Sequence, residues 1–272
     1  MALQEWSNCY MLSKRKITSR GQWPTIGDGA SVSPILSGFT STGANVPTGG
    51  EAHAISLPSN GIKNFQKFEV RSGDVWSGDV GNSKERAELY TNATKFSFNQ
   101  DYWGAWSFNL DFGDDITGNS LFIIGQFHQT PDAGDATISP MFDVSLATSS
   151  ASTLQVRTRT SQVDPIVASP TPTTHYTTPI DRFTWHDVVM RINFDPADPG
   201  TGLLDFYLNG TQVVAYTGPI GYVDAVGPYF KWGIYSGTAS YTRKVKYANM
   251  QWGTASLASV VASPEAIVED PY

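Results

Sequence analysis

Leu204–Tyr216 reads LDFYLNGTQVVAY. Apolar and polar residues alternate on both sides of Asn209 and Gly210, which can both take the positive φ of a type I′ turn, so the stretch predicts an antiparallel hairpin. Outward from it the same texture repeats: short runs rich in β-branched and aromatic residues, punctuated by Gly, Pro, Asn and Asp. Upstream stand NFQKFEVR (64–71), ERAELYT (85–91), KFSFNQ (95–100), WGAWSFNLDF (103–112), SLFIIGQFHQ (120–129), MFDVSLAT (141–148), TLQVRTRT (153–160) and HDVVMRINF (186–194). Downstream stand PYFKWGIYS (228–236) and RKVKYANMQW (243–252). There is no βαβ alternation, no fixed-period repeat and no heptad, so the pattern predicts an all-β fold of two packed antiparallel sheets.

A chain of 272 residues has room for a sizeable core. Hydrophobic residues make up 40% and charged residues 16%, which excludes a disordered chain. The 25 glycines and 16 prolines suit many short strands better than long helices. Residues 1–50 lack periodicity and predict an irregular arm wrapping the domain; residues 51–256 carry the strands; residues 257–272 form a terminal segment that frays beyond Pro264.

The net charge of −7 argues against nucleic-acid or anionic-membrane binding through the overall field. Cys9, the single cysteine, allows neither an internal disulfide nor a cysteine zinc site. Polar residues interrupt every apolar stretch in MALQEWSNCYMLSKRKITSR, so this chain displays no signal peptide or membrane span. Export then requires a signal already removed or another route.

Strand alternation sorts the chemistry-bearing residues by face. Tyr229, Lys231, Gly233 and Tyr235 share one side of their run, opposite Phe230, Trp232 and Ile234. Arg86 joins Glu88, opposite Ala87 and Leu89. Gln126 and His128 fall together with Ile124, opposite Phe127. A solvated outer sheet face accounts for any one of these strands, but the combination of Arg, Gln, His, Lys and Tyr favours a site. In TLQVRTRT, Gln155, Arg157 and Arg159 form a ladder able to hold successive carboxylates; Arg191, Arg243, Lys244 and Lys246 are weaker entries of that kind. His175 and Tyr176 fall in TPTTHYTTP (171–179), a Pro/Thr-rich loop able to close over a groove. His53 and His186 are assigned to structure. Two acidic stretches, DFGDD (111–115) and DPAD (195–198), are candidates for structural calcium, without EF-hand spacing.

ERAEL, QFH and YFKWGIY resemble, in order and rough spacing, the three signature strands of β-jelly-roll polysaccharide lyases of the alginate, glucuronan and heparin I types. FEVRSGD (68–74) and WHDVVMRINF (185–194) are further similar to the glucuronan and heparin branch. The likeness spans roughly residues 65–250. It implies a concanavalin A-like jelly roll with a concave substrate groove, and β-elimination on a uronic-acid polysaccharide that leaves a 4,5-unsaturated end. Ala87 inside ERAEL, Trp232 after the lysine, and Ser236 with Gly237 after the tyrosine depart from the alginate pattern, and bear on the substrate.

Under that reading Arg86 and Gln126 neutralise the substrate carboxylate, and His128 and Tyr235 act as base and acid. Lys231 favours the phenolate or binds a carboxylate. Glu88, Tyr229, Gln155, Arg157, Arg159 and His175 line the substrate path. A single tyrosine serves both proton transfers where the C5 proton and O4 lie on the same side of the sugar, and a histidine is needed as well where they do not; the sequence leaves both open. The chemistry requires no cofactor. The expected partner is an acidic polysaccharide, met by a monomer outside the cell or on a virion. The rivals are a non-catalytic, lectin-like jelly roll, including a surface adhesin, and a glycoside hydrolase, which lacks its closely spaced carboxylates here.

Overall fold

The computed structural model describes residues 35–36, 45–48, 53–56, 65–91, 95–113, 121–147, 153–197 and 199–257. Its strands in chain order are β1 (Ile35–Leu36), β2 (Asn45–Thr48), β3 (Ile55–Ser56), β4 (Phe65–Val70), β5 (Lys84–Thr91), β6 (Asp101–Leu110), β7 (Phe122–His128), β8 (Phe142–Ala147) and β9 (Thr153–Thr158). They continue with β10 (Thr160–Ser161), β11 (Thr173–Pro179), β12 (Trp185–Asn193), β13 (Leu203–Leu208), β14 (Thr211–Thr217), β15 (Gly221–Tyr222), β16 (Tyr229–Gly237) and β17 (Arg243–Gly253). One sheet runs β14-β13-β12-β6-β17-β4-β3, with β1 added along β17; the other runs β11-β9-β8-β7-β16-β5-β2. The predicted hairpin is β13–β14, with Asn209 at φ 51° and Gly210 at φ 79°.

Non-consecutive neighbours such as β16 between β5 and β7 make this a jelly roll, in which strands far apart in sequence lie side by side. The inner faces close over an aromatic core. The Phe230 and Trp252 rings lie 4.6 Å apart, those of Phe96 and Phe127 4.7 Å, and Trp106, Trp232 and Phe108 fill the layers beside them. Dense, interdigitated rings of this kind supply most of the burial that holds two sheets together. Among the described residues no helix is long and apolar enough to cross a membrane.

A pair of bulges breaks simple alternation at the centre of the seven-stranded sheet. β7 shifts register against β8 between Ile123 and Gly125, and β16 shifts against β7 between Trp232 and Tyr235. The extra residue turns Ile124 into the inter-sheet core beside Phe122 and Phe127, which corrects its expected place beside Gln126. Gly233 occupies the β16 bulge at φ 126°, where a Cβ would lie 2.2 Å from the Ala87 carbonyl oxygen, so only glycine fits. From the opposite sheet the Tyr247 hydroxyl reaches the carbonyl oxygens of both Ile124 and Gly233.

Two local expectations are overturned. KFSFNQ is not a strand: Phe96 enters the core from irregular chain and its N–H donates to the Pro228 carbonyl at 2.8 Å. TPTTHYTTP is not a loop: its threonines form β11, the edge strand beside β9, with its prolines at or beyond the strand ends where no ladder donor is needed. Of the expected arm, the described parts are β1, parallel to β17, and β2, on the free edge of β5. Leu257 packs on Ala105, Val189 and Tyr207 on the far side of the eight-stranded sheet. The rest of the arm and the segment after Leu257, including the fraying expected beyond Pro264, lie outside the described residues.

Candidate active site

Ala87, Leu89, Phe127, Phe142, Val144, Leu154, Val156, Phe230 and Trp232 all point into the core. Alternation therefore sends their strand neighbours to the other face of the seven-stranded sheet. Across five strands one row there reads Arg157–Asp143–Gln126–Lys231–Tyr90, each residue the cross-strand partner of the next. Beside it His128 faces Tyr229, and Arg86 faces Tyr235. Arg86, Gln126, His128, Lys231 and Tyr235 thus share one face of three adjacent strands.

Glu88 is the hub of this face. Its Oε1 accepts from Gln126 Nε2 at 2.6 Å, and its Oε2 accepts from Lys231 Nζ at 2.7 Å and Arg86 Nη1 at 3.3 Å. At 1% exposure Glu88 orients the donors from beneath, whereas the sequence places it along the substrate path. Arg86 is also clamped by Asp79: Nη2 donates to Oδ1 at 2.7 Å and Nε to Oδ2. Its guanidinium lies 4.3 Å from the Tyr235 ring centroid and 5.1 Å from that of Trp76. Each of the three donors has more N–H groups than Glu88 and Asp79 take up.

The formal charges of Arg86 and Lys231 balance those of Asp79 and Glu88. Burial works against the Arg86 charge, but Glu88 and Asp79 outweigh it and raise its pKa. Burial lowers Lys231, with Glu88 opposing. Burial raises the Tyr235 phenol, and the adjacent Arg86 pulls it back. The Tyr229 phenol, half-buried and near Glu88, is pushed up to about 12, chiefly by desolvation. His128 is lowered to about 4 by burial, with Lys231 and Arg86 adding to the fall, so its ring is neutral at neutral pH. Its Nδ1 lies 3.2 Å from the Gln129 carbonyl oxygen. A carbonyl only accepts, so this contact calls for a proton on Nδ1, and the Ile138 carbonyl also acts on the ring.

The arginine ladder is anchored on Asp143. Arg157 Nε donates to Asp143 Oδ1 at 2.8 Å, and Arg159 Nη1 donates to Asp143 Oδ2 at 2.9 Å and to the Pro140 carbonyl at 2.8 Å. Both cations neutralise one fully buried carboxylate; Arg159 is itself buried, and Arg157 and Gln155 stand half-buried on the outer face. His175 sits on the edge strand β11. Its Nε2 meets Thr158 Oγ1 at 2.7 Å and its ring lies tilted against that of Tyr216 of β14, centroids 4.5 Å apart, so it joins the edge strands of the two sheets. Arg243 is buried on Glu85, Arg191 is paired with Asp101 on the other sheet, and Lys246 with Asp111. His53 and His186 have structural contacts, with Asp74 and with the Asp181 carbonyl.

Sequence reading missed Asp79, Trp76 and Asp143. Asp79 and Trp76 sit at a short 3₁₀ turn, outside any strand alternation, and only the neighbouring Trp-Ser-Gly-Asp run hints at them. Asp143 alternates correctly in its strand but looks like any outward carboxylate. Of the calcium candidates, Asp111 is paired with Lys246, and Asp195 accepts from the N–H groups of Ala197 and Thr201, organising its own loop. Asp114, Asp115 and Asp198 lie outside the described residues.

The sequence profile of the polysaccharide lyases matches residues 36–251. The chain belongs to that family. It is a polysaccharide lyase, and the lectin-like and hydrolase readings give way. The endo-β-1,4-glucuronan lyase from the fungus Trichoderma reesei superposes with a TM-score of 0.57 at 15% identity, over 87% of this lyase and 96% of its own chain. The family 7 alginate lyase A1-II′ superposes with a TM-score of 0.52 at 15% identity, over 76% of this lyase and 86% of its own. At such identity the likeness is one of fold. No curated protein sequence matches the chain.

Proposed function

We propose that this lyase cleaves a 1,4-linked polyuronate by β-elimination, leaving a 4,5-unsaturated uronate end, with Tyr235 moving the proton. The observation that supports this reading is the Arg86–Tyr235 pair opposite each other on β5 and β16, with the donors Gln126 and Lys231 in the adjoining row. Taking the C5 proton places a second negative charge on the sugar's carboxylate. Arg86, Gln126 and Lys231, held in place by Glu88, would meet that charge, and one such donor is typically worth about 3–4 kcal/mol. Arg86 also favours the Tyr235 phenolate, which takes the C5 proton and returns a proton to the departing O4.

His128 neighbours Tyr229, with ring centroids 5.8 Å apart, and a pKa lowered to about 4 makes its imidazole a weak base, so we assign both proton transfers to Tyr235. One proton-moving group suits substrates whose C5 proton and O4 lie on the same side of the ring, which is the case in glucuronate and mannuronate chains. Such polymers lie outside cells, and we place the enzyme's action there or on a virion surface, as a monomer. The test is ultraviolet absorbance on glucuronan, poly-mannuronate and poly-guluronate. Absorbance should rise with glucuronan or poly-mannuronate, stay flat with poly-guluronate, and vanish in Tyr235→Phe; poly-guluronate cleaved fastest would overturn the assignment.

A further inference from the structure

Lys95 stands where the chain between β5 and β6 enters the core through the fully buried Phe96. The Phe96 N–H donates to the Pro228 carbonyl at 2.8 Å, and Pro228 leads directly into Tyr229 at the head of β16, so one backbone bond holds Lys95 beside the site. There its Nζ lies 4.3 Å from the Tyr229 ring centroid. The Tyr229 ring is in turn packed against those of Tyr90 and His128, with centroids 5.6 Å and 5.8 Å away. Lys95, Tyr90 and Tyr229 are all half-buried.

The charge of Lys95 is unlike the others on this face. Arg86 and Lys231 are balanced by Asp79 and Glu88, Arg157 and Arg159 sit on Asp143, and His128 is neutral at neutral pH. No ion pair among the described residues includes Lys95, and burial alone acts on its pKa, lowering it. A tyrosine ring attracts an ammonium without neutralising it, and it covers one side of a group that has three N–H donors. A half-buried cation in this state gains most from a carboxylate brought to it.

Lys231 and Tyr229 lie two residues apart on one face of β16, about 7 Å along the strand at the usual rise per residue. That is roughly the length of one sugar. We propose that Lys95, seated on Tyr229, binds the carboxylate of the uronate adjoining the one that loses its C5 proton, so that the enzyme selects chains carrying carboxylates on neighbouring sugars. The inference rests on the polyuronate elimination proposed above and adds to it a choice among polymers. A chain in which uronate alternates with a neutral sugar leaves Lys95 without a partner. Because the sugar it holds is not the one reacting, Lys95 acts on binding and not on proton transfer.

Lys95→Met keeps the aliphatic stem and removes the charge, whereas Lys95→Arg keeps the charge. Steady-state kinetics are read by ultraviolet absorbance on the better of glucuronan and poly-mannuronate, at low and high sodium chloride. In Lys95→Met, KM should rise by about tenfold or more while kcat changes by less than about twofold. The increase of KM with salt should also be shallower than in the wild type. Lys95→Arg should stay within about threefold of the wild-type KM, since it keeps both the charge and the contact with the ring. Lys95→Gln gives the same reading if the methionine variant fails to fold. An unchanged KM, a fall in kcat alone, or a raised KM that Lys95→Arg does not restore would overturn the proposal. A wild type that eliminates neither polymer marks the failure of the proposed activity instead. The subsite is then read by calorimetric titration of glucuronate and mannuronate oligosaccharides into wild type and Lys95→Met, where weaker binding by the variant supports it and equal affinities overturn it.

Discussion

Arg86 lies with its guanidinium 4.3 Å from the Tyr235 ring centroid while its nitrogens hold Asp79 and Glu88. The cation acts on the phenol, and the two carboxylates prevent it from swinging away. Side-chain exposures of 11% for Arg86 and 4% for Asp79 make this a largely desolvated pair. Asp79→Ala leaves the cation with less compensation and should destabilise the fold by about 3–5 kcal/mol, read as a lower urea midpoint, and should lower kcat in whatever protein remains folded. An unchanged midpoint would mean that Asp79 does not anchor Arg86.

Tyr235→Phe keeps the ring over which Arg86 sits and removes one oxygen. If the phenol transfers the proton, kcat should fall by about 10²–10⁴ with KM little altered. Steady-state kinetics on the best substrate of the panel checks this, and near-normal turnover would remove Tyr235 from the proton transfer.

The neutral state of His128 makes a prediction about acid. Its pKa is lowered from 6.5 to about 4 in the folded protein, chiefly by burial, so between those values the unfolded chain binds more protons than the folded one. Its contribution to stability is therefore complete above about pH 6.5 and is lost as pH falls through 4. Urea midpoints at pH 7 and pH 4 should differ less in His128→Gln than in the wild type. Equal differences would mean that the imidazole titrates normally.

The Asp143 pairings change what the arginine variants should do. Removing Arg157 and Arg159 together strands a carboxylate that is 0% exposed, so the double alanine variant should lose about 3–5 kcal/mol of stability in denaturant titration. Arg157→Ala alone should cost less, because Arg159 still holds Asp143 through its Nη1. A double variant as stable as wild type, with a raised KM for long substrates, would return both arginines to substrate binding.

How far the sequence is legible follows from how local each feature is. Alternation in KERAELYT and YFKWGIYS places Arg86, Glu88, Lys231 and Tyr235 on the correct side, since β5 and β16 pair there without a slip. It fails at Ile124, because a bulge spends one residue without advancing the face, and Gly125 is the only local sign of it. It fails at His175, because threonines between prolines look like a loop until an edge strand is free to receive them. The roles of Glu88 and Asp143 are illegible for another reason. Whether an outward carboxylate meets solvent or the cations of neighbouring strands depends on strand order, and β16 lies between β5 and β7 only through contacts remote in sequence.

Product analysis tests the central claim most directly. A polyuronate incubated with the enzyme should shorten as ultraviolet absorbance grows, and mass spectrometry should find the new non-reducing ends lighter by one water than hydrolysis would leave them. Elimination predicts one unsaturated uronate for every bond broken. Chain shortening with saturated ends and no absorbance, by any enzyme preparation freed of contaminating hydrolases, would contradict the account.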